Sequence, residues 1–345
     1  MRPNPWVTLG FGWALLSGAA GEDGKWTGQW KALKGGCTPR FAHTAVWDDQ
    51  KGVMLVFGGE NHVGKEFSFF NDMWTFAPKT QAWKQVETSG PVPPQRAYHA
   101  AAWDPKRACL WMFGGCGGDF VPMGDLWRFT PATGKWVEVT WKGDGPGPRF
   151  NQALHVVEAK GTLLLHSGSK GFGAADSAWE DLWIFDPEAG TWASHACPAP
   201  GRWQFASALD QKRGLFIRHG GFDGQAQVQN DTWIYDLEKD SWKEGPAGLS
   251  GTDAHIAVWD DHSGAVLFFG GAKFKSDTGL NRVAVFDAEG KWSEAKMSGK
   301  PLKSRAYHSA VWAPSLRGML VFGGTENQFS SPMQKDETLL LEVKP

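Results

Sequence analysis

The sequence predicts an all-β protein, a six-bladed β-propeller closed by a strand from its own N-terminus. Three observations lead there. The 345 residues include 44 Gly, 21 Trp and 22 Phe, a makeup suited to many short strands joined by tight turns. One block recurs six times at intervals of 50 to 56 residues. The last copy lacks its final strand, and the missing piece stands at the other end of the chain.

The first copy reads Arg40-Phe-Ala-His43, then a strand-like run to Trp47, then Gly52-Val-Met-Leu-Val-Phe-Gly58-Gly59. A polar loop leads to Asn71-Asp72-Met-Trp74-Thr-Phe76, and Trp83 follows. The same order returns with Arg96, His99, Gly114-Gly115, Asp125, Trp127 and Trp136, and again with Arg149, Gly168, Asp181, Trp183 and Trp192. Arg202, Gly220-Gly221, Asp231, Trp233 and Trp242 make the fourth. His255, Gly270-Gly271, Phe286 and Trp292 make a weaker fifth, and Arg305, His308, Gly323-Gly324 and Asp336 the sixth. The last glycine of each copy falls at 59, 115, 168, 221, 271 and 324, in steps of 56, 53, 53, 50 and 53 residues.

Each copy supplies four strands. In the first copy these are His43 to Trp47, the apolar run Val53 to Phe57, Met73 to Phe76, and a strand opened by Trp83. The second is apolar throughout, as a strand buried on both faces must be. The Gly-Gly pair ends it where a side chain would obstruct a close turn. Four short antiparallel strands cannot bury both faces alone, so neighbouring units stack, and radial stacking gives a propeller. The sixth copy ends at Leu340-Leu341-Glu-Val-Lys-Pro345 without a Trp strand. Lys25 to Leu33, carrying Trp30, is expected to complete it and seal the ring.

Six copies in register resemble the kelch repeat, and the resemblance covers nearly the whole chain after residue 20. It implies a kelch-type propeller over residues 21–345, in the superfamily that includes the galactose oxidase propeller. It also implies that the loops after each Gly-Gly share a face with the Arg-bearing connections. It leaves function open, because one fold hosts many roles.

Residues 1–20 stand apart. Arg2 is their one charge, Trp6 to Leu16 is mainly apolar, and Ser17, Gly18, Ala19 and Ala20 follow. That order is the layout of a secretory signal peptide cleaved after Ala20, so a periplasmic or extracellular protein is expected, with a cytoplasmic one as the alternative. No segment has the length of a membrane helix. Cys37, Cys109, Cys116 and Cys197 form no C-x-x-C, and no zinc site, disulfide framework or other cofactor is expected. With 35 basic and 37 acidic residues the net charge is −2, which argues against nucleic acid as the partner. A monomer is expected.

The recurring Arg40, Arg96, Arg149, Arg202 and Arg305 suggest either an anion-binding ring or ion pairs with Asp72, Asp125, Asp181, Asp231 and Asp336. The fifth copy favours pairing: Thr252 replaces Arg and Arg282 replaces Asp, so both partners vanish together. His43, His99, His255 and His308 also recur, but Gln152 and Phe205 break the set, which favours hydrogen bonds at the strand entry over a metal. Tyr98-His99 and Tyr307-His308 are similar to elements of the copper-radical oxidases, whose site also needs a Cys crosslinked to one Tyr. None is placed for it here.

The loops after Gly-Gly carry Phe70, Phe120, Phe172, Phe222, Phe274 and Phe329, and Trp179 and Trp203 fall outside the repeat pattern. With the five arginines, Tyr98 and Tyr307, these make up the expected binding face. The reading is an exported binding module for a protein or glycan. The alternative is a periplasmic carbohydrate-active enzyme similar to the kelch-type sialic-acid mutarotases, in which the His and Arg rings would hold the sugar.

Overall fold

The computed structural model describes residues 25–63, 66–171, 177–225, 227–248, 250–272, 280–299, 303–326 and 337–345. Six antiparallel sheets succeed one another along the chain. Blade 1 comprises Thr44–Asp48, Val53–Phe57, Met73–Ala77 and Ala82–Val86, numbered outward from the axis. The innermost strands of blades 2 to 6 are Ala100–Asp104, Ala153–Val157, Ala206–Asp210, Ile256–Asp260 and Ser309–Ala313. Blade 1 also carries a hairpin of Glu60–Val63 and Glu66–Phe69 in its post-Gly-Gly loop.

The N-terminal strand closes the ring. Thr27–Leu33 runs antiparallel to Thr338–Lys344 over its whole length, from Thr27 opposite Lys344 to Leu33 opposite Thr338. On its outer side it takes a short parallel strand, Lys296–Ser298. The first residues described are thus the outer strand of blade 6.

The core lies in the seams between blades. Between blades 1 and 2, Val46, Leu55 and Phe57 pack on Leu110, Met112 and Phe129. Between blades 6 and 1, Leu320, Phe322 and Leu340 pack on Met54, Val56 and Phe76. One contact explains the repeat. The fourth-strand Trp of each blade lies against the aromatic residue that precedes the Gly-Gly position in the blade before it. Trp136 meets Phe57 at 4.8 Å, Trp83 meets Phe322 at 4.6 Å and Trp30 meets Phe269 at 4.7 Å. Trp242 and Trp292 do the same with His166 and His219, which replace Phe in blades 3 and 4. Each ring removes a large apolar surface from water at a place only a neighbour supplies.

The glycines follow from the same seams. A Cβ on Gly58 would lie 2.8 Å from the Arg96 carbonyl oxygen and 2.9 Å from the His99 ring, both in the next blade. Gly323 faces the Arg40 carbonyl and the His43 ring in the same way, across the closing seam. Cys37, Cys109 and Cys116 are buried, Cys197 is half-buried, and all four are free thiols. Burial pushes each thiol up to about 12. No described helix is long and apolar enough to cross a membrane.

Candidate functional site

The arginines lie beneath the loop face, buried. Arg40 holds Asp72 through two hydrogen bonds of 2.6 and 3.0 Å, Arg96 holds Asp125 at 2.7 Å twice, and Arg149 holds Asp181 likewise. Arg202 reaches Asp231 at 3.0 Å. The third-strand indoles Trp74, Trp127, Trp183 and Trp233 donate to the same carboxylates. Burial pushes the Asp72 and Asp125 carboxyls up, but the arginine hydrogen bonds and charge outweigh it and hold both below the ordinary carboxylate value. Arg40, Arg96 and Arg149 also donate to the Gly58, Gly114 and Ser167 carbonyls and so tie the turn at the end of the second strand to the entry of the third, as Arg305 does through Gly323, whereas Arg202 donates to the Gly201 carbonyl instead. In blade 6 Arg305 reaches Glu337 at 2.7 Å, and the expected Asp336 lies outside the described residues. In blade 5 Arg282 bonds the Ser250 hydroxyl.

The recurrent histidines reach across seams. His99 Nε2 lies 2.8 Å from Thr44 Oγ1, His43 Nε2 lies 2.7 Å from Ser309 Oγ, and His255 Nε2 lies 3.1 Å from His219 Nδ1. Among the described residues no group of three or more His, Cys, Asp or Glu is placed to hold a metal.

Just before each of these positions stands a residue with left-handed backbone: Ala42, Tyr98, Asn151, Gln204, Ala254 and Tyr307, with φ between 51° and 59°. Their peptides form a chain of hydrogen bonds around the axis. Tyr98 N donates to Ala42 O, Ala42 N to Tyr307 O, Tyr307 N to Ala254 O and Ala254 N to Gln204 O, at 2.8 to 3.0 Å. This ring narrows the axial mouth on the loop face. Tyr98 and Tyr307 meet edge to face there, 5.9 Å apart. The Tyr98 hydroxyl donates to Glu60 Oε1 at 2.5 Å. Glu60 is buried, which raises its carboxyl against the opposing pull of Tyr98 and His62. Burial, then the Glu60 charge, holds the Tyr98 phenol well above its ordinary value.

Around this mouth the loops of blades 1 and 2 carry aromatics. Phe67 lies 4.0 Å from His62 and 6.1 Å from Phe120, and Phe120 lies 5.9 Å from Phe69. Phe67 and Val121 are 55% and 58% exposed. Sequence reasoning singled out Phe120 for the binding face but did not single out Val121. Phe70 lies under the Arg40 guanidinium. Phe222 is buried and stacked on Trp203 at 4.5 Å. Trp179 carries Arg149 and Lys170, each 4.8 Å from its rings. Phe172, Phe274 and Phe329 lie outside the described residues, as do residues 1–20.

The sequence profile of the KLHDC2/KLHL20/DRC7 Kelch-repeats domain matches residues 23–213 and 196–339. The chain belongs to the kelch-repeat family. The kelch domain is 29% identical over 146 residues to the Leucine-zipper-like transcriptional regulator 1 homolog of Drosophila melanogaster, which covers 41% of this chain and 14% of that protein. It is 26% identical over 244 residues to Multiple epidermal growth factor-like domains protein 8 of Mus musculus, 65% of this chain and 8% of that one. It is 30% identical over 133 residues to Dynein regulatory complex subunit 7 of Chlamydomonas reinhardtii, 38% of this chain and 11% of that one. In each case the kelch match is a small part of a much longer relative. The solved structure of YjhT superposes on 91% of this chain and 99% of its own with a TM-score of 0.70 at 16% identity, a likeness of fold.

Proposed function

We propose that this kelch propeller is a protein-binding module that engages its partner through the post-Gly-Gly loops of blades 1 and 2. The observation that carries this reading is the exposed apolar pair Phe67 and Val121, backed by Phe120 on adjacent loops. Clustered apolar and aromatic side chains on a rigid scaffold are what a protein hot spot uses. A glycan platform would need an open indole face. Trp179 carries Arg149 and Lys170, and Trp203 lies against Phe222. One similar protein is named as a subunit of a regulatory complex, which fits a role in assembly.

The test is site-specific photo-crosslinking in the source cells, with the crosslinker at position 67, at 121, or at 137 on an outer strand of blade 2. One defined protein captured from 67 and 121 but not from 137, and lost on Val121→Asp, supports the reading. Equal capture from all three positions, or none from the loops, overturns it. The leader-like residues 1–20 further place this work outside the cytoplasm in our proposal. A mature N-terminus at Gly21 in the exported fraction would support that placement, and an intact N-terminus confined to the cytosol would refute it.

A further inference from the structure

On the axis, behind the ring of histidines, the six innermost strands enclose a chamber of about 440 Å³. That volume is in the range of small-molecule sites. Each innermost strand runs from the Gly-Gly end, where Thr44 pairs with Phe57, to the opposite end, where Asp48 pairs with Val53. The chamber therefore opens on the face away from the loops, and it is independent of the proposed protein-binding face. Much of its wall is small, with Ala45, Ala101 and Ala257 among the lining residues.

Two independent features point to an occupant. The inner end holds buried polar atoms without partners. His308 is 5% exposed and bonds through neither ring nitrogen, and Gln152 Oε1 has no partner either. The sequence explains His308. Its counterparts His99 and His43 use the hydroxyls of Thr44 and Ser309 in the blade before, and the matching residue of blade 5 is Ile256, which has none. A buried polar group left unpaired is costly, and a ligand atom at the ring would supply the partner.

The outer end carries Asp49 and Glu158, both lining the chamber. Partial burial raises each carboxyl, and neighbouring acids raise it further: Asp48 and Asp261 act on Asp49, against a smaller opposing hydrogen bond from the Trp47 side chain, and Asp49 and Asp104 act on Glu158. Lys160 is engaged on the Leu237 carbonyl and Lys212 on the Asp261 carbonyl, and no lysine charge is among the groups acting on Asp49 or Glu158. A crowded pair of carboxylates at the mouth of a small-walled shaft lacks a cation.

We propose that the axial chamber binds a small organic ammonium compound, with its cationic group between Asp49 and Glu158 and a hydrogen-bonding end directed toward His308 and Gln152. The occupant fits the shaft along its length, which spans the five residues of an innermost strand.

The test uses the full chain with tyramine as probe and tyrosol, its neutral alcohol counterpart, as control, read by titration calorimetry and saturation-transfer NMR. Tyramine is expected to bind saturably, and tyrosol is not. Asp49→Asn and Glu158→Gln, both at exposed positions, are expected to weaken tyramine at least tenfold, and Ala101→Leu to abolish binding by filling the shaft. Val137→Asp on the outer strand of blade 2 is expected to leave tyramine binding unchanged. Equal binding of tyrosol, indifference to both carboxamide variants, or no tyramine binding overturns the proposal. A response to calcium chloride without one to tyramine assigns the carboxylates to a metal ion and overturns it as well.

Discussion

The imidazole of His99 crosses the seam between blades 1 and 2 to place Nε2 2.8 Å from the Thr44 hydroxyl, while its Cε1 edge lies over Gly58. One side chain thus fixes both the hydrogen bonding and the packing of that seam. Thr44→Val keeps the shape and removes the partner, so it should cost about 1–3 kcal/mol, the penalty of an unsatisfied buried group. Gly58→Ala should cost more, since its Cβ meets the Arg96 carbonyl and the ring at a φ of +63°. Urea unfolding of both variants checks the order, and a neutral Thr44→Val would show that the hydrogen bond does not hold the seam.

The buried histidines make stability depend on acid. Burial holds His99 at about 3 and His155 and His219 at about 4, and keeps His43, His166, His255 and His308 well below their ordinary value. Above pH 6.5 neither the folded nor the unfolded chain protonates them. Below it the unfolded chain takes up protons that the folded one refuses. Stability is therefore full above about pH 6.5 and falls with acid, by up to about 1.4 kcal/mol per pH unit for each ring. The Asp72 and Asp125 pairs add to the loss only at lower pH, because their carboxyls lie below the ordinary value. His99→Gln copies the residue of blade 3, where Gln152 bonds the Phe113 carbonyl at 2.7 Å. It should flatten the decline between about pH 6.5 and 4.5 by one ring's share. Denaturant midpoints across that range decide it, and an unchanged slope in the variant would remove His99 from the account.

The fold was legible because its energetics repeat. Trp83, Trp136, Trp192, Trp242 and Trp292 recur in the sequence since each one closes a seam of the same shape, and Trp30 at the far end of the chain marked the closing strand. The site was less legible because its residues do not repeat. Ala42, Tyr98, Asn151, Gln204, Ala254 and Tyr307 share a left-handed backbone but no side-chain type, so no motif announces their ring. Phe67 and Val121 each occur in one blade only, whereas Asp49 and Glu158 share one position, just past the innermost strand, with Asp261 of blade 5, and its meaning comes from the closed ring that brings these acids together.

The ion pairs differ in how replaceable they are. Asp125→Ala leaves the fully buried Arg96 without its carboxylate and Trp127 without its acceptor, and should cost about 3–5 kcal/mol. Asp231→Ala should cost more, because Arg218, buried beside Arg202, lies 3.6 Å from the same carboxylate and both guanidiniums lose it. Arg202→Met should cost less than Arg96→Met, since Arg218 remains to face Asp231. Urea unfolding ranks the four variants. Equal losses for the two arginine variants would show that Arg218 does not substitute.

Ring closure yields the most demanding test. Deleting residues 26–34 removes the strand that covers Leu339, Leu341 and Val343 and takes Trp30 from Phe269. It also leaves Thr338–Lys344 with an unpaired edge, a template for aggregation. The truncated chain should be insoluble or lose its cooperative transition. Connection order, however, should not matter. Thr27 lies opposite Lys344, so a short turn joining Pro345 to Lys25 would form an ordinary hairpin from the same two strands. A circular permutant that carries residues 25–37 after Pro345 should then recover a cooperative thermal transition close to that of the parent. Failure of the permutant beside a folded truncation would mean that the seam is held by something other than this strand, since the pairing is identical in the two connections and only the covalent path differs.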